Sequence, residues 1–107
     1  MSARNLNPFV GKWRIVWMEM WDQDFVDMEV LGHFTFAKDG RGSFQFGLVQ
    51  GDMDCRVRDD RVEFSWIGND EMDEASGRGF ARIENGALIG RIFIHQGDDS
   101  EFRAIKA

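Results

Sequence analysis

Asp22, Asp24 and Asp27 are spaced like the first ligands of a calcium loop. Such a loop needs an acid or Asn at its fifth position and glycine at its sixth, where the chain turns sharply. Val26 and Asp27 occupy those positions. The three aspartates therefore read as a solvated turn whose carboxylates cap backbone amides. Asn69-Asp70-Glu71-Met72-Asp73-Glu74 is the densest acidic stretch. It offers oxygens that a hard cation could use, though a solvated loop is the ordinary role of such a run.

The remaining reactive side chains do not combine. His33 and His95 are the only histidines, and a zinc site needs three or four ligands at suitable spacing. Cys55 is alone, which excludes an intramolecular disulfide and a four-cysteine zinc site, and it reads as a small half-buried residue. Ser43, Ser65 and Ser76 have no nucleophile motif around them. Gly77 and Gly79 fall within a strand pattern rather than at the opening of a helix, so they form no dinucleotide loop. The sequence assigns no catalytic residue, no metal and no cofactor, and the reading leans away from an enzyme.

The elements that hold these residues are strands. Turn signals recur at 22–24, 38–40, 50–52, 58–60, 68–70, 85–86 and 97–99, which predicts about eight strands in one domain over 1–107. The longest period-two run extends from Val26 to Ala37, with Val26, Met28, Val30, Phe34 and Phe36 on one face and a bend at Gly32. Val62, Phe64 and Trp66 point inward, as do Ala81, Leu88, Ile92, Phe102 and Ala104. Asn85-Gly86 is the strongest hairpin signal, since a type I′ turn needs positive φ at both central residues. The first strand, 10–21, is apolar on both faces: Trp13, Ile15 and Trp17 share one, Val16, Met18 and Met20 the other. Either a bulge switches the phase or something covers the outer face. Short up-and-down connections hide their edges most simply by closing, which gives an all-β antiparallel barrel. The 22–24 turn and the 69–75 loop then share one end, with 50–54 and Gly86, and that rim is acidic.

Gly11-Lys12-Trp13, near the start of the first strand, resembles the Gly-x-Trp signature of the lipocalins and wider calycin barrels. The resemblance implies that Trp13 plugs one barrel end and that Arg103, near the last strand, packs across it. The chain is much shorter than a lipocalin and shows no counterpart of the C-terminal helix. The whole chain also resembles a group of short bacterial proteins, through Gly11-Lys12-Trp13-Arg14-Ile15, Trp21 to Glu29, Phe44-Gln45-Phe46-Gly47, Trp66 to Asp73, Ser76 to Gly79 and His95 to Asp98. That likeness implies kinship and no activity.

A formal net charge of −6 with no visible basic stripe argues against nucleic acid and against an anionic membrane surface. The absence of an apolar leader or span makes the cytoplasm the expected compartment. Two functions are expected. The first is a non-catalytic small-molecule-binding barrel with a shallow end-on pocket formed by Trp17, Glu19, Trp21, Trp66, Asp70 and Glu71. Glu19 either faces inward, paired with Arg91 or Arg103, or sits at a wet rim. The alternative is a homodimeric interaction module joined through Ile67, Phe80, Ile89 and Phe93, with Val16, Met18 and Met20 as a second outward row.

Overall fold

The computed structural model describes residues 6–107, and its fold is a closed antiparallel barrel of eight strands in sequence order. A single 3-10 turn at Asn7–Phe9 leads into β1 (Gly11–Met18). The short helix α1 (Gln23–Val26) separates it from β2 (His33–Phe36). Then follow β3 (Arg41–Phe46), β4 (Val49–Arg58), β5 (Arg61–Asp70), β6 (Asp73–Glu84), β7 (Ala87–Ile94) and β8 (Asp99–Lys106). β8 pairs with β1 and closes the wall. The expected eight-strand up-and-down barrel is the observed one.

Alternation decides which side chains enter the lumen. Val62, Phe64 and Trp66 of β5, Ala81 of β6, Leu88 and Ile92 of β7 and Phe102 and Ala104 of β8 are all buried, as their period-two phase predicts. Phe34 lies at the centre. Its ring centroid is 4.4 Å from that of Phe102, 5.4 Å from Phe44 and 6.1 Å from Phe64. Trp66 meets Phe44 edge-on at 5.0 Å. Gly77 and Gly79 leave room for these rings, since a Cβ at Gly79 would lie 2.4 Å from Phe64. At ~1.5–3 kcal/mol for each large apolar side chain buried, the ring stack is a principal source of stability.

Three boundaries differ from expectation. The strand predicted over 26–37 is reduced to β2. Asp22 caps α1 by accepting from the Phe25 amide at 3.0 Å, and Asp27 accepts from the Gly32 amide at 2.8 Å. These bonds hold 22–32 as a helical turn and loop, and Met28, Val30 and Leu31 are exposed. Second, the expected turn at 50–52 lies inside β4. Gly51 serves packing, because a Cβ there would stand 2.7 Å from Trp66 and 2.8 Å from Phe44. The chain turns at Gly47-Leu48 instead, with Gly47 at φ 57° under the ring of Phe25. Third, residues 68–70 complete β5 and the turn follows at Glu71-Met72.

The bulge considered for the first strand is present: the pairing with β8 shifts register between Ile15 and Trp17. Trp13, Ile15 and Met18 are consequently buried, while Val16 and Trp17 face outward. Met18 therefore does not belong to an outward row with Val16 and Met20.

Both barrel ends are stoppered. At one, the Trp13 indole N–H donates to the Phe9 carbonyl at 2.8 Å. At the other, Trp21 packs on Phe25 and Phe46 with centroids 6.1 and 5.1 Å away, and Val26 is fully buried. This second end carries the loop after β1 and the turns after β3, β5 and β7. Gly86 follows β6 and lies at the opposite end, and 50–54 belong to β4, so neither contributes to the acidic rim as expected.

Candidate functional site

The residues expected to line one mouth are distributed over three surfaces. Trp66 is inside the barrel, 4% exposed, with its indole N–H directed to the Phe93 carbonyl at 3.2 Å. Trp21 belongs to the end stopper. The bulge turns Trp17 onto the outer wall, 41% exposed, with the Arg103 guanidinium 5.7 Å from its ring. Asp70 and Glu71 are exposed at the end closed by Trp21, and the Glu71 amide donates to the Leu48 carbonyl. These residues do not converge on a pocket, because the stopper and the ring stack occupy the space they would have shared.

Glu19 faces solvent. It accepts from Arg91 at 3.2 Å and from the Glu101 amide at 3.1 Å, so of the two partners considered Arg91 is the one present. Arg91 also reaches Asp99, and that hydrogen bond raises its pKa further above the ordinary guanidinium value. The cation packed across Trp13 is Lys106, whose ammonium lies 4.4 Å from the ring centroid. Register explains the exchange: Trp13 pairs with Lys106, and Trp17 with Arg103.

Phe80, Ile89 and Phe93 do lie together on the outer wall, with the two phenyl centroids 6.3 Å apart. They are only partly exposed, because Arg61 lies over Phe80 at 4.7 Å and Arg78 over Phe93 at 4.5 Å. Ile67 is 69% exposed but pairs with Ser76, one step along the wall from Arg78. Among the described residues, no three His, Cys, Asp or Glu side chains are grouped as a metal-ligand set. His33 bonds the Leu31 carbonyl through Nδ1, and His95 is exposed. No helix among the described residues is long and apolar enough to cross a membrane.

The outer wall holds a feature that the sequence reading missed. A groove of about 400 Å³ runs across β4, β5 and β6. Arg56 and Asp54 flank it from β4, Arg61, Glu63 and Ser65 from β5, and Arg78 and Phe80 from β6, with Phe64 and Gly79 completing the lining. Ser65 is the reason for the hollow: it is the small outward residue in the row Asp54–Ser65–Arg78 set by the ladder. Arg61 is committed to Glu63 at 2.8 Å. Arg78 makes no ion pair within the described chain, and neither does Arg56. Cys55 is a free, buried cysteine behind this wall. Burial, and then the Asp54 charge, push its thiol up to about 12.

The available signal was the placement of Arg56, Arg61 and Arg78 at outward phases of three strands. Only the register brings them together. Comparison with known proteins yields no match to a family model, to a curated protein or to a solved structure.

Proposed function

We propose that the protein is a non-catalytic binding barrel that holds a small organic anion on its outer wall. One observation carries the reading: two guanidinium groups without carboxylate partners, those of Arg56 and Arg78, flank a 400 Å³ groove that Phe80 also lines. The volume falls within the ~300–1,000 Å³ usual for small-ligand sites. Planar guanidinium forks suit carboxylate and phosphate oxygens, and an aromatic side chain suits a flat apolar body. The register sets Arg56 and Arg78 at opposite corners of the groove, Arg56 beside Glu63 and Arg78 across Ser65 from Asp54. The filled lumen and stoppered ends favour this location over an end-on pocket. The lipocalin-like resemblance rests on Gly11-Lys12-Trp13, since the cation over Trp13 is Lys106 and Arg103 lies over Trp17, and a lipocalin-type cavity is not part of this reading.

The test is an amide-resolved NMR titration with adenosine monophosphate and inorganic phosphate as probes. Saturable shifts are expected at Ser65, Gly79 and Phe80 with the nucleotide, and weaker ones with phosphate. Arg78→Ala should weaken nucleotide binding tenfold or more, since a charge-assisted hydrogen bond contributes roughly 1.5–3 kcal/mol. Absence of saturable shifts at these amides, or shifts confined to the 19–32 segment, refutes the site.

A further inference from the structure

A group of exposed apolar side chains lies elsewhere than the groove. Val16, Trp17, Met20, Met28, Val30 and Leu31 are each 40–54% exposed, and all come from the second half of β1 and the loop that follows it. The Ile15 amide donates to the Gly32 carbonyl, continuing the pairing of Arg14 with His33. Leu31 and Val16 are the chain neighbours of that bonded pair, and the Gly32 amide turns to Asp27, which ends the ladder there. On the other side of β1, Trp17 stands next to Arg103. A run of this kind is a candidate interface, because a soluble chain rarely leaves contiguous apolar area open.

Charge selects the occupant. On the side of this face nearer the start of β1 lie Lys12 and Arg14, both exposed and without an ion-pair partner among the described residues. On the other side lie Glu19, which Arg91 shares with Asp99, and Glu29, which has no such partner among the described residues. A two-fold axis lying in the plane of the contact and running across β1 near Val16 reverses the direction of β1 in the second copy. It therefore sets the basic side of each chain against the acidic side of the other. A contact with parallel β1 strands would oppose like charges. We infer that this face is an isologous, antiparallel contact with a second copy of the chain, a relation in which one self-complementary patch serves both protomers. The inference is independent of the anion groove, which lies across β4–β6.

Sedimentation velocity on the full chain, from about 1 to 100 µM and at low and high salt, reads the association directly. The expected result is a dimer that weakens with salt. Val16→Glu should give a folded monomer, since the residue already faces solvent. Arg14→Glu and Glu29→Arg should each weaken the dimer about tenfold, the factor that corresponds to ~1.4 kcal/mol, and the double reversal should restore it. Circular dichroism of each variant verifies the fold. A wild-type monomer over the whole range overturns the inference. So does a dimer that survives Val16→Glu and dissociates with Phe80→Glu, because the contact would then lie on the β5–β7 wall.

Discussion

Replacing Trp13 with alanine removes the plug at the barrel end where β1 begins. The side chain is 3% exposed and makes three interactions: apolar contact with the core, an N–H bond to the Phe9 carbonyl at 2.8 Å, and a face offered to the Lys106 ammonium at 4.4 Å. Loss of a large buried aromatic to alanine costs about 3–5 kcal/mol, which includes the cavity left behind. In a chain of this size each kilocalorie per mole lowers the melting temperature by roughly 4–8 °C, so a fall well above 10 °C is expected in a thermal melt followed by circular dichroism. Two further variants divide the total. Trp13→Phe keeps most of the apolar area and loses the donor, at about 1 kcal/mol. Lys106→Met keeps the stem over the ring and loses the charge, at about 0.5–1 kcal/mol. Arg103→Met is the control. Its guanidinium lies over Trp17 on the exposed wall, and a surface change of that kind stays within about 0.5 kcal/mol of wild type. A melting temperature for Trp13→Ala within a degree of wild type would falsify the plug. An Arg103→Met variant less stable than Lys106→Met would show that the cation had been misassigned.

Asp27→Ala should lower stability by about 1–3 kcal/mol, because the Gly32 amide loses its acceptor and Gln23 loses one of its two side-chain bonds; an unchanged denaturant midpoint would mean that the loop is held by other contacts. For Cys55 the relevant reading is pH dependence. Its folded pKa, near 12, lies above the ordinary thiol value of 9.0, so the buried thiol's full contribution is present below pH 9 and is lost as pH rises toward 12, because the unfolded chain ionises first. The stability advantage of wild type over Cys55→Ala should therefore narrow between pH 8 and pH 11, and a constant difference across that range would contradict a desolvated thiol.

The parts of the fold that could be read from the chain were those in which a strict alternation met a turn with one possible geometry. From Arg61 to Lys106 the apolar phase is uninterrupted. Asn85-Gly86 fixes its hairpin, with both residues at positive φ, 52° and 82°. The predicted inward apolar residues of β5–β8 are consequently buried, and Ser100 joins them. The region from Val26 to Leu31 misled for a definite reason. Met28 and Val30 repeat the period of a strand while standing on a loop. What excludes the strand is a pair of side-chain-to-backbone bonds, Asp22 to Phe25 and Asp27 to Gly32. Bonds of this kind compete with a ladder at short range, and their carboxylates were read correctly as amide caps without the consequence for the strand. Gly51 shows the converse problem. A glycine beside Asp and Gln reads as a turn, and the need to clear two rings from across the barrel becomes visible only once the register is known.

The candidate site was less legible, and barrel size accounts for it. Eight strands enclose a space that side chains can nearly fill. Phe and Trp at the inward positions fill it here, as the packing of Phe34 against Phe44, Phe64 and Phe102 demonstrates. An end-on pocket would need one end of the lumen left open, and Trp13 with Phe9 occupies one end while Trp21 with Phe25 occupies the other. Open space is thereby left to the outward half of the alternation, where polar side chains look ordinary in any single stretch of sequence. Arg56, Arg61 and Arg78 each read as a solvated strand residue. Pairing Arg56 with Glu63, Glu63 with Phe80 and Ser65 with Arg78 is what turns three such positions into the walls of one groove. In a barrel this small, the inward residues specify the register, and the register determines which surface residues can act together.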